Sequence, residues 1–267
     1  MRLGLLSDIH ANIHALQVAV AALAEAGTDR YVVAGDIVGY GPHPNECVAA
    51  VRDLPGLVAV AGNHELLTRG IINGARLPRL VTDSIDWTRA TLTETSMEFL
   101  AGLPTIARLQ DVVVAHGALD NVSRYVSYPY QAREELQRLG RADPSASILV
   151  LGHTHVPWTF GERRGTHRIG RAPIRLDPAV RHLVNPGSVG QSRQREHQPR
   201  ARFAQLDMAA RTVTFWALHY DHDAARRSLR SADRPEAILH LKPALMSTIG
   251  RPVRQHLSRL RHRGMGH

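Results

Sequence analysis

The chain has 267 residues, and its 43% hydrophobic and 21% charged side chains are ordinary values for a globular protein, which excludes a disordered chain. Lys and Arg number 33 against 24 Asp and Glu, and the resulting formal charge of +9 fits anionic substrates or a basic tail. No run approaches the roughly 18 apolar residues of a membrane span, the opening MRLGLLSDIH is too polar for a signal peptide, and Cys47 is the only cysteine, so a cytoplasmic protein without disulfides is predicted.

Strands and helices alternate along the first half of the chain. An apolar run at 2–6 is followed by a helix rich in Ala, Val and Leu, which Asn12 can cap and which ends near Gly27. Further strands are predicted at 31–35, 57–62 and 111–117, and further helices at 45–54 and 83–101. Strands separated by helices predict crossover connections and largely parallel pairing.

The second half is richer in strands and predicts more antiparallel pairing. These strands are expected at 147–155, 156–161, 181–185, 201–207 and 212–218. Two segments rich in Arg, Gly and Pro, 161–180 and 190–200, are predicted to be exposed loops. From about residue 222 onward the chain is predicted to be helical and basic.

Polar side chains of metal-ligand type follow five of the predicted strands. They are Asp8 and His10, then Asp36, then Asn63 and His64, then His116, and finally His153 and His155. Because the carboxyl ends of strands in an α/β sheet line one crevice, these side chains are expected to converge. Carboxylate, imidazole and amide groups together suit a borderline divalent transition metal, and two adjacent metals are typical of displacement at phosphorus.

These residues form motifs in a fixed order along the chain. They read D-x-H at 8–10, G-D at 35–36, G-N-H-E at 62–65, a strand-end histidine at 116 and G-H-T-H at 152–155. Over roughly residues 1–220 the set resembles the calcineurin-like metallophosphoesterase superfamily, and the SDIHAN, GDIVGYGPHPNE and VNPGSVGQ segments are similar to its small prokaryotic phosphodiesterase branch. The resemblance implies a catalytic domain over 1–220, an α/β four-layer α-β-β-α sandwich with two mixed sheets, and a basic helical extension over 221–267.

The resemblance also implies a binuclear metal centre. One metal would be held by Asp8, His10, Asp36 and His155, and the other by Asp36, Asn63, His116 and His153. Mn²⁺ is the expected metal, with Fe, Zn, Ni, Co and Mg as alternatives. A metal-bound hydroxide would attack the phosphorus of a phosphodiester or monoester, and His64 would protonate the leaving oxygen or bind the phosphate.

Two of the neighbouring residues have two interpretations each. Asn12 would contact the substrate or only cap its helix, and Tyr40 would contact the substrate or only pack. Glu65 is expected to orient a neighbour rather than bind metal. The turn at 185–188 is expected to support the site from below.

One departure concerns phosphate binding. Protein Ser/Thr phosphatases and bacterial symmetric dinucleoside tetraphosphatases carry an arginine three or four residues after the bridging aspartate, whereas residues 37–42 (IVGYGP) contain none. Arg69 and Arg124, in loops after the metal motifs, are the candidate substitutes. A dinucleoside polyphosphate hydrolase and a protein phosphatase are therefore the enzymatic alternatives. A nucleic-acid-binding or scaffold protein with a degenerate site is the non-enzymatic alternative, against which the complete ligand set argues.

The segment 243–263 has apolar residues at helical spacing with arginines between them. This pattern predicts an amphipathic basic helix that docks on the domain or on a second copy of the chain. Contact with nucleic acid or an acidic membrane surface is the alternative. The expected partner of the catalytic site is a small phosphorylated compound, nucleotides included, and a homo-oligomer is left open.

Overall fold

Strands and helices fill most of the part of the chain that the computed structural model describes, which is residues 1–167, 169–170 and 172–241. The strands are β1 (Arg2–Leu6), β2 (Arg30–Val33), β3 (Val58–Ala59), β4 (Ile106–Leu109), β5 (Val112–Ala115), β6 (Ile148–Val150), β7 (Trp158–Gly161), β8 (Gly165–His167), β9 (Ile174–Arg175), β10 (His182–Asn185), β11 (Ala201–Asp207) and β12 (Thr212–Leu218). The helices are α1 (Ile13–Glu25), α2 (Pro44–Arg52), α3 (Asn63–Thr68), α4 (Arg79–Thr91), α5 (Glu94–Ala101), α6 (Pro129–Ala142) and α7 (His222–Ser231), and a 3₁₀ turn covers Glu236–Leu239. None of these described helices has the length and hydropathy that crossing a bilayer requires.

The strands form two mixed sheets. The first has the order β3-β2-β1-β11-β12-β9, and the second has the order β4-β5-β6-β10-β7-β8. In the first sheet β1 to β3 are parallel and β11 is antiparallel to β1, whereas in the second sheet β5, β6 and β10 are parallel. The predicted mixed sheets are confirmed, but the late antiparallel strands do not form a sheet of their own. Instead β11 and β12 return to the first sheet beside β1.

Alternate residues of the central strands face different cores. Leu3 and Leu5 of β1 share a buried cluster with Val112 and Val114 of β5, while Leu6 belongs to a second cluster that lies under α1 and α2. A third cluster joins the outer face of the second sheet to α6. Because side chains in a strand alternate with a period of two, each central strand contributes to two cores. The predicted four-layer α-β-β-α sandwich is confirmed.

The predicted helix at 83–101 is wrong as a single helix. Leu92 has an extended backbone with ψ 133°, which ends α4, and the side chain of Thr93 accepts a hydrogen bond from the backbone N–H of Ser96 to begin α5. Helical spacing alone does not reveal this break, because both helices place apolar residues toward the same core. α4 also begins earlier than predicted, directly after Pro78.

The two predicted exposed loops are only partly correct. The first, 161–180, contains β8 and β9, each of which extends one sheet at its edge. In the second, 190–200, residues 191–193 are buried, with exposed fractions of 9% or less. They are drawn inward because the carbonyl of Gln191 accepts a hydrogen bond from the ring of His155 at 2.8 Å.

The start of the predicted extension is helical, as expected. α7 follows β12, and the ring of His14 in α1 lies within hydrogen-bond distance of the hydroxyl of Ser228, at 3.1 Å. The boundary at residue 220 stays a prediction. The predicted helix 243–263 lies outside the described residues.

Candidate metal centre

The strand ends that carry the predicted ligands meet at one edge of the sandwich, and both sheets contribute. The first sheet supplies the residues after β1, β2 and β3, and the second supplies those after β5 and β6. Backbone hydrogen bonds hold these ends together: the N–H of Asp8 donates to Gly35 at 3.1 Å, and the N–H of Gly152 donates to His116 at 2.8 Å. The convergence predicted from the sequence is therefore present.

Several site residues have a left-handed backbone. The φ angles are +52° at Asp8, +49° at His10, +54° at Asp36, +62° at Tyr40, +65° at His153 and +60° at His155. A left-handed backbone costs a residue with a Cβ about 1–2 kcal/mol, so the six residues place backbone strain at the site. Clustered backbone strain of this kind is a feature of functional sites.

The first group of ligand atoms surrounds one oxygen of Asp8. Its Oδ2 accepts hydrogen bonds from Ser7 Oγ at 2.7 Å and from the N–H of His153 at 3.1 Å. Its Oδ1 is buried without a hydrogen-bond partner, 3.1 Å from Nε2 of His155 and 3.9 Å from Nε2 of His10. A buried carboxylate oxygen without a partner is costly, and a cation at this position would satisfy it.

Backbone carbonyls fix the tautomers of three histidines. The Nδ1 atoms of His10, His116 and His155 lie 3.3, 2.7 and 2.8 Å from the carbonyl oxygens of Val38, Ala34 and Gln191. A neutral imidazole meets a carbonyl with its N–H, so Nε2 of each ring faces the site and carries the lone pair when the ring is neutral. In His153 the two ring nitrogens exchange roles. Nε2 lies 3.0 Å from the carbonyl of Ser123, so Nδ1 is the nitrogen that can bind a metal.

Asp36 lies between two groups of imidazole nitrogens. Its Oδ1 accepts a hydrogen bond from the backbone N–H of His64 at 2.9 Å. Its Oδ2 is 3.1 Å from Nε2 of His116 and 3.7 Å from Nε2 of His10. Nε2 of His116 is also 3.1 Å from Oδ1 of Asn63. In three overlapping groups the ligand atoms all lie within 4.8 Å of one another: Asp8, His10 and His155; His10, Asp36 and His64; and Asp36, His116 and His153. Each group could hold a metal ion.

Burial and charge set the protonation of the site. Burial lowers the pKa of His64 to about 4 and that of His153 to about 3, so both rings are neutral at pH 7. Burial also disfavours the cation of His116, but the carboxylate of Asp36 outweighs it and raises the pKa of His116 to about 9. Burial opposes ionisation of Asp36 too, yet the imidazoles, His116 first, hold its pKa well below the usual range. A metal bound beside His116 would take the place of this proton.

Glu65 fixes the backbone of the site, as predicted. Its carboxylate accepts hydrogen bonds from the backbone N–H groups of Asp36, Val38 and Gly62, at 2.9, 3.0 and 2.7 Å. These contacts join the loops after β2 and β3. Burial and the neighbouring charge of Asp36 raise the pKa of Glu65 to about 7.

The turn after β10 supports the site from below, as predicted. The side-chain amide of Asn185 donates to the carbonyl of Gly152 at 2.7 Å, and the hydroxyl of Ser188 donates to the carbonyl of Asp8 at 2.8 Å. The turn therefore connects the loop after β6 with the loop after β1, which come from different sheets.

The geometry around Asn12 favours its capping interpretation. Its Oδ1 accepts from the N–H of Ala15 at 3.2 Å, and its Nδ2 donates to the carbonyl of Gly190 at 3.0 Å. The side chain is 1% exposed and is absent from the described residues that line the neighbouring pocket. Both of its polar atoms are used within the protein, so substrate contact at Asn12 has no support.

A pocket of about 570 Å³ opens beside the ligand groups, and Asp36, Asn63 and His64 lie at its polar end. Tyr40 also lines it, with its ring centroid 4.6 Å from that of His64, so a substrate contact for Tyr40 stays a prediction. Arg193 lines the same pocket, and sequence reasoning missed it.

Neither arginine proposed from the sequence lines this pocket. Arg124 is bound to the carboxylates of Asp120 and Glu135 at 2.5 and 2.7 Å, and Arg69 ends α3. Arg193 lies instead in a segment whose composition is typical of an exposed loop. The signal that could have found it is its position just after the turn at 185–188, itself a strand end of the second sheet.

Comparisons with known proteins agree with this geometry. The profile of the calcineurin-like phosphoesterase superfamily domain matches residues 1–211. An uncharacterised protein of Methanocaldococcus jannaschii is 30% identical over 197 residues, which are 72% of this chain and 77% of that protein. A metallophosphoesterase of Sphaerobacter thermophilus superposes with a TM-score of 0.74 at 32% identity, over 90% of this chain and 96% of that one. A hypothetical protein of Pyrococcus horikoshii shares the fold with a TM-score of 0.71 at 20% identity, over 89% and 96% of the two chains.

Proposed function

The chain belongs to the calcineurin-like phosphoesterase superfamily, and on that premise we propose that it is a two-metal phosphoesterase that hydrolyses a phosphodiester or a phosphomonoester. The family and its solved relatives imply a metal-dependent phosphoester hydrolase. The observation that carries the two-metal assignment is the position of Asp36 Oδ2 between His116 and His10, at 3.1 and 3.7 Å. A carboxylate so placed can bridge two cations.

The residues present fit such a centre. We assign Asp8, His10, Asp36 and His155 to one metal, and Asp36, Asn63, His116 and His153 to the other. Oδ1 of Asp8 has no hydrogen-bond partner and faces the Nε2 atoms of His10 and His155. A cation bound between these atoms would satisfy all of them at once. Nitrogen and oxygen ligands without sulfur suit Mn²⁺, and also Fe, Zn, Ni, Co or Mg.

Two bound metal ions would supply a nucleophile by lowering the pKa of coordinated water, and would stabilise charge at phosphorus. The protein side chains have separate tasks. Asp36 and the loops whose backbone N–H groups donate to Glu65 hold the ligand side chains in position. His64 lies in the first turn of α3 and lines the pocket. During hydrolysis a water oxygen bonds to phosphorus, the ester P–O bond breaks, and His64 assists the leaving oxygen with a proton or a hydrogen bond.

The convergence of all the predicted ligands disfavours the degenerate-site alternative. A decaying site would lose ligand atoms or their supporting contacts, whereas here three histidines keep carbonyl partners. Cytoplasmic location, a homo-oligomer and contact with nucleic acid stay predictions.

Metal content tests the proposed function directly. Protein stripped of metal and reconstituted with Mn²⁺ should contain about two ions per chain by elemental analysis, because two ligand sets share Asp36. Hydrolysis of bis-p-nitrophenyl phosphate should appear on reconstitution and disappear on chelation. A folded protein that binds no metal, or hydrolysis that survives complete removal of metal, would contradict the proposal.

A further inference from the structure

We propose that this site takes a phosphate ester with a single phosphoryl group and an apolar alkyl or aryl substituent, held by Arg193 and by the apolar wall of the neighbouring pocket. The inference rests on the proposed function and narrows its substrate class. It is carried by a buried cation without a counter-ion and by the composition of the pocket wall.

Arg193 is a buried cation that lines the pocket. It is 9% exposed, and no ion pair within 4.0 Å among the residues that the structure describes includes it. Its Nη1 donates to the hydroxyl of Tyr125 at 3.0 Å and its Nε donates to the side chain of Gln191 at 3.3 Å. These two neutral partners orient the guanidinium without neutralising it. Because a buried charge without an opposite charge is costly, a bound phosphoryl group is the partner that fits this cation.

The charge of the pocket matches one phosphoryl group. Within residues 1–167, 169–170 and 172–241, Arg193 is the only Lys or Arg that lines the pocket. In a chain of several phosphates, the phosphates beyond the first would lie outside the metal-ligand groups. Each of these negative charges would need its own cation or backbone N–H donors. Among the described lining residues, one guanidinium beside the ligand groups matches the charge of a single phosphoryl group.

Most of the remaining pocket wall is apolar. Part of it comes from the end of α3, the following loop and the start of α4, and includes Leu67, Ile72, Leu77, Pro78, Leu80 and Val81. Asn73 is the amide that this part of the wall offers. An alkyl or aryl group placed here would leave water for an apolar surface. A nucleobase would bring polar edges that such a wall satisfies only in part.

Phosphonates of increasing apolar size test the inference without a hydrolysis step. Calorimetric titration of Mn²⁺-loaded protein with methyl-, hexyl- and phenylphosphonate should give dissociation constants at least about tenfold lower for hexyl and phenyl than for methyl. Equal constants for the three compounds would overturn the proposal.

A matched pair of variants locates the apolar group. Leu77 lines the pocket and is 38% exposed, while Ile71 is in the same loop, is 61% exposed and does not line it. Leu77→Asn should reduce the preference for hexyl over methyl at least about threefold, because it replaces apolar wall by an amide, and Ile71→Asn should leave the preference unchanged. If both variants keep the wild-type preference, the apolar group binds elsewhere and the inference is wrong.

Arg193→Gln tests the phosphoryl contact. It should weaken methylphosphonate binding at least about tenfold, since a charge-assisted contact is lost, while the Mn²⁺ content and the melting temperature stay near wild type. Wild-type affinity in this variant would overturn the role of Arg193. Hydrolysis of bis-p-nitrophenyl phosphate by wild-type protein keeps the two proposals apart: metal-loaded protein without hydrolysis contradicts the proposed function, whereas hydrolysis with equal phosphonate affinities contradicts only this inference.

Discussion

Asp36→Asn should reduce the metal content from about two ions per chain to one or fewer and should lower hydrolysis at least about 10³-fold, because bound metal contributes several kcal/mol to the transition state. The variant is nearly isosteric. Its amide oxygen can still accept the hydrogen bond that the N–H of His64 donates to Asp36 at 2.9 Å in the wild-type protein. Its amide nitrogen would then replace the oxygen that faces His116 and His10. This position would hold an uncharged NH₂ group instead of the negative oxygen proposed to bridge the two metal ions.

Asp111→Asn is the matched control for this variant. Asp111 precedes β5, at the opposite end of the strand from His116, and binds Arg211 at 2.7 Å. Its substitution should cost some stability but leave the metal content and the activity of reconstituted protein unchanged. Elemental analysis and initial rates on bis-p-nitrophenyl phosphate measure both effects. Two tightly held metals in Asp36→Asn would contradict the bridging assignment.

His64→Gln should leave both metals bound and slow hydrolysis of esters with poor leaving groups by roughly 10²–10⁴-fold, the range for loss of an acid–base group. His64 is 3% exposed, lines the pocket, and has an Nδ1 without a hydrogen-bond partner among the described residues. Glutamine keeps an N–H donor but has no titratable ring nitrogen, so it cannot take up and pass on a proton. The variant therefore separates proton transfer from hydrogen bonding.

Rates across a series of esters with different leaving groups measure this effect. The loss should shrink as the leaving group becomes better, because a good leaving group needs little protonation. His14→Gln is the matched control, since His14 is a partly buried histidine that lies beside Ser228 and away from the pocket. Wild-type activity of His64→Gln on poor leaving groups would show that the assigned role is wrong.

The metal-ligand pattern could be predicted because it depends on local sequence. Asp8, Asp36 and His116 each follow a short apolar strand, and parallel strands bring their carboxyl ends to one edge. Two strand ends carry a second ligand-type residue two positions after the first, as in Asp8 and His10 and in His153 and His155, which adds to this signal. The prediction that Glu65 orients its neighbours also follows from the strand ends, because the three N–H groups that donate to Glu65 lie just after β2 and β3.

Arg193 could not be predicted because its position depends on contacts distant in sequence. The segment 190–200 has the composition of a surface loop, but Gln191 binds the ring of His155 and Arg193 binds Tyr125 across the fold. The same holds for the first sheet, where β11 pairs with β1 from the far end of the chain. The break between α4 and α5 depends on a single cap at Thr93, which helical periodicity does not register.

The left-handed backbone at the strand ends has a consequence for protein engineering. Glycine adopts positive φ without the steric cost that Asp8, at +52°, and His155, at +60°, must bear. At these positions the backbone conformation alone favours glycine, whereas the proposed chemistry requires a ligand side chain. A library selected only for thermal resistance should therefore accumulate glycine at the ligand positions and yield robust but inactive proteins. Selection for turnover must accompany selection for heat resistance in any directed evolution of this chain.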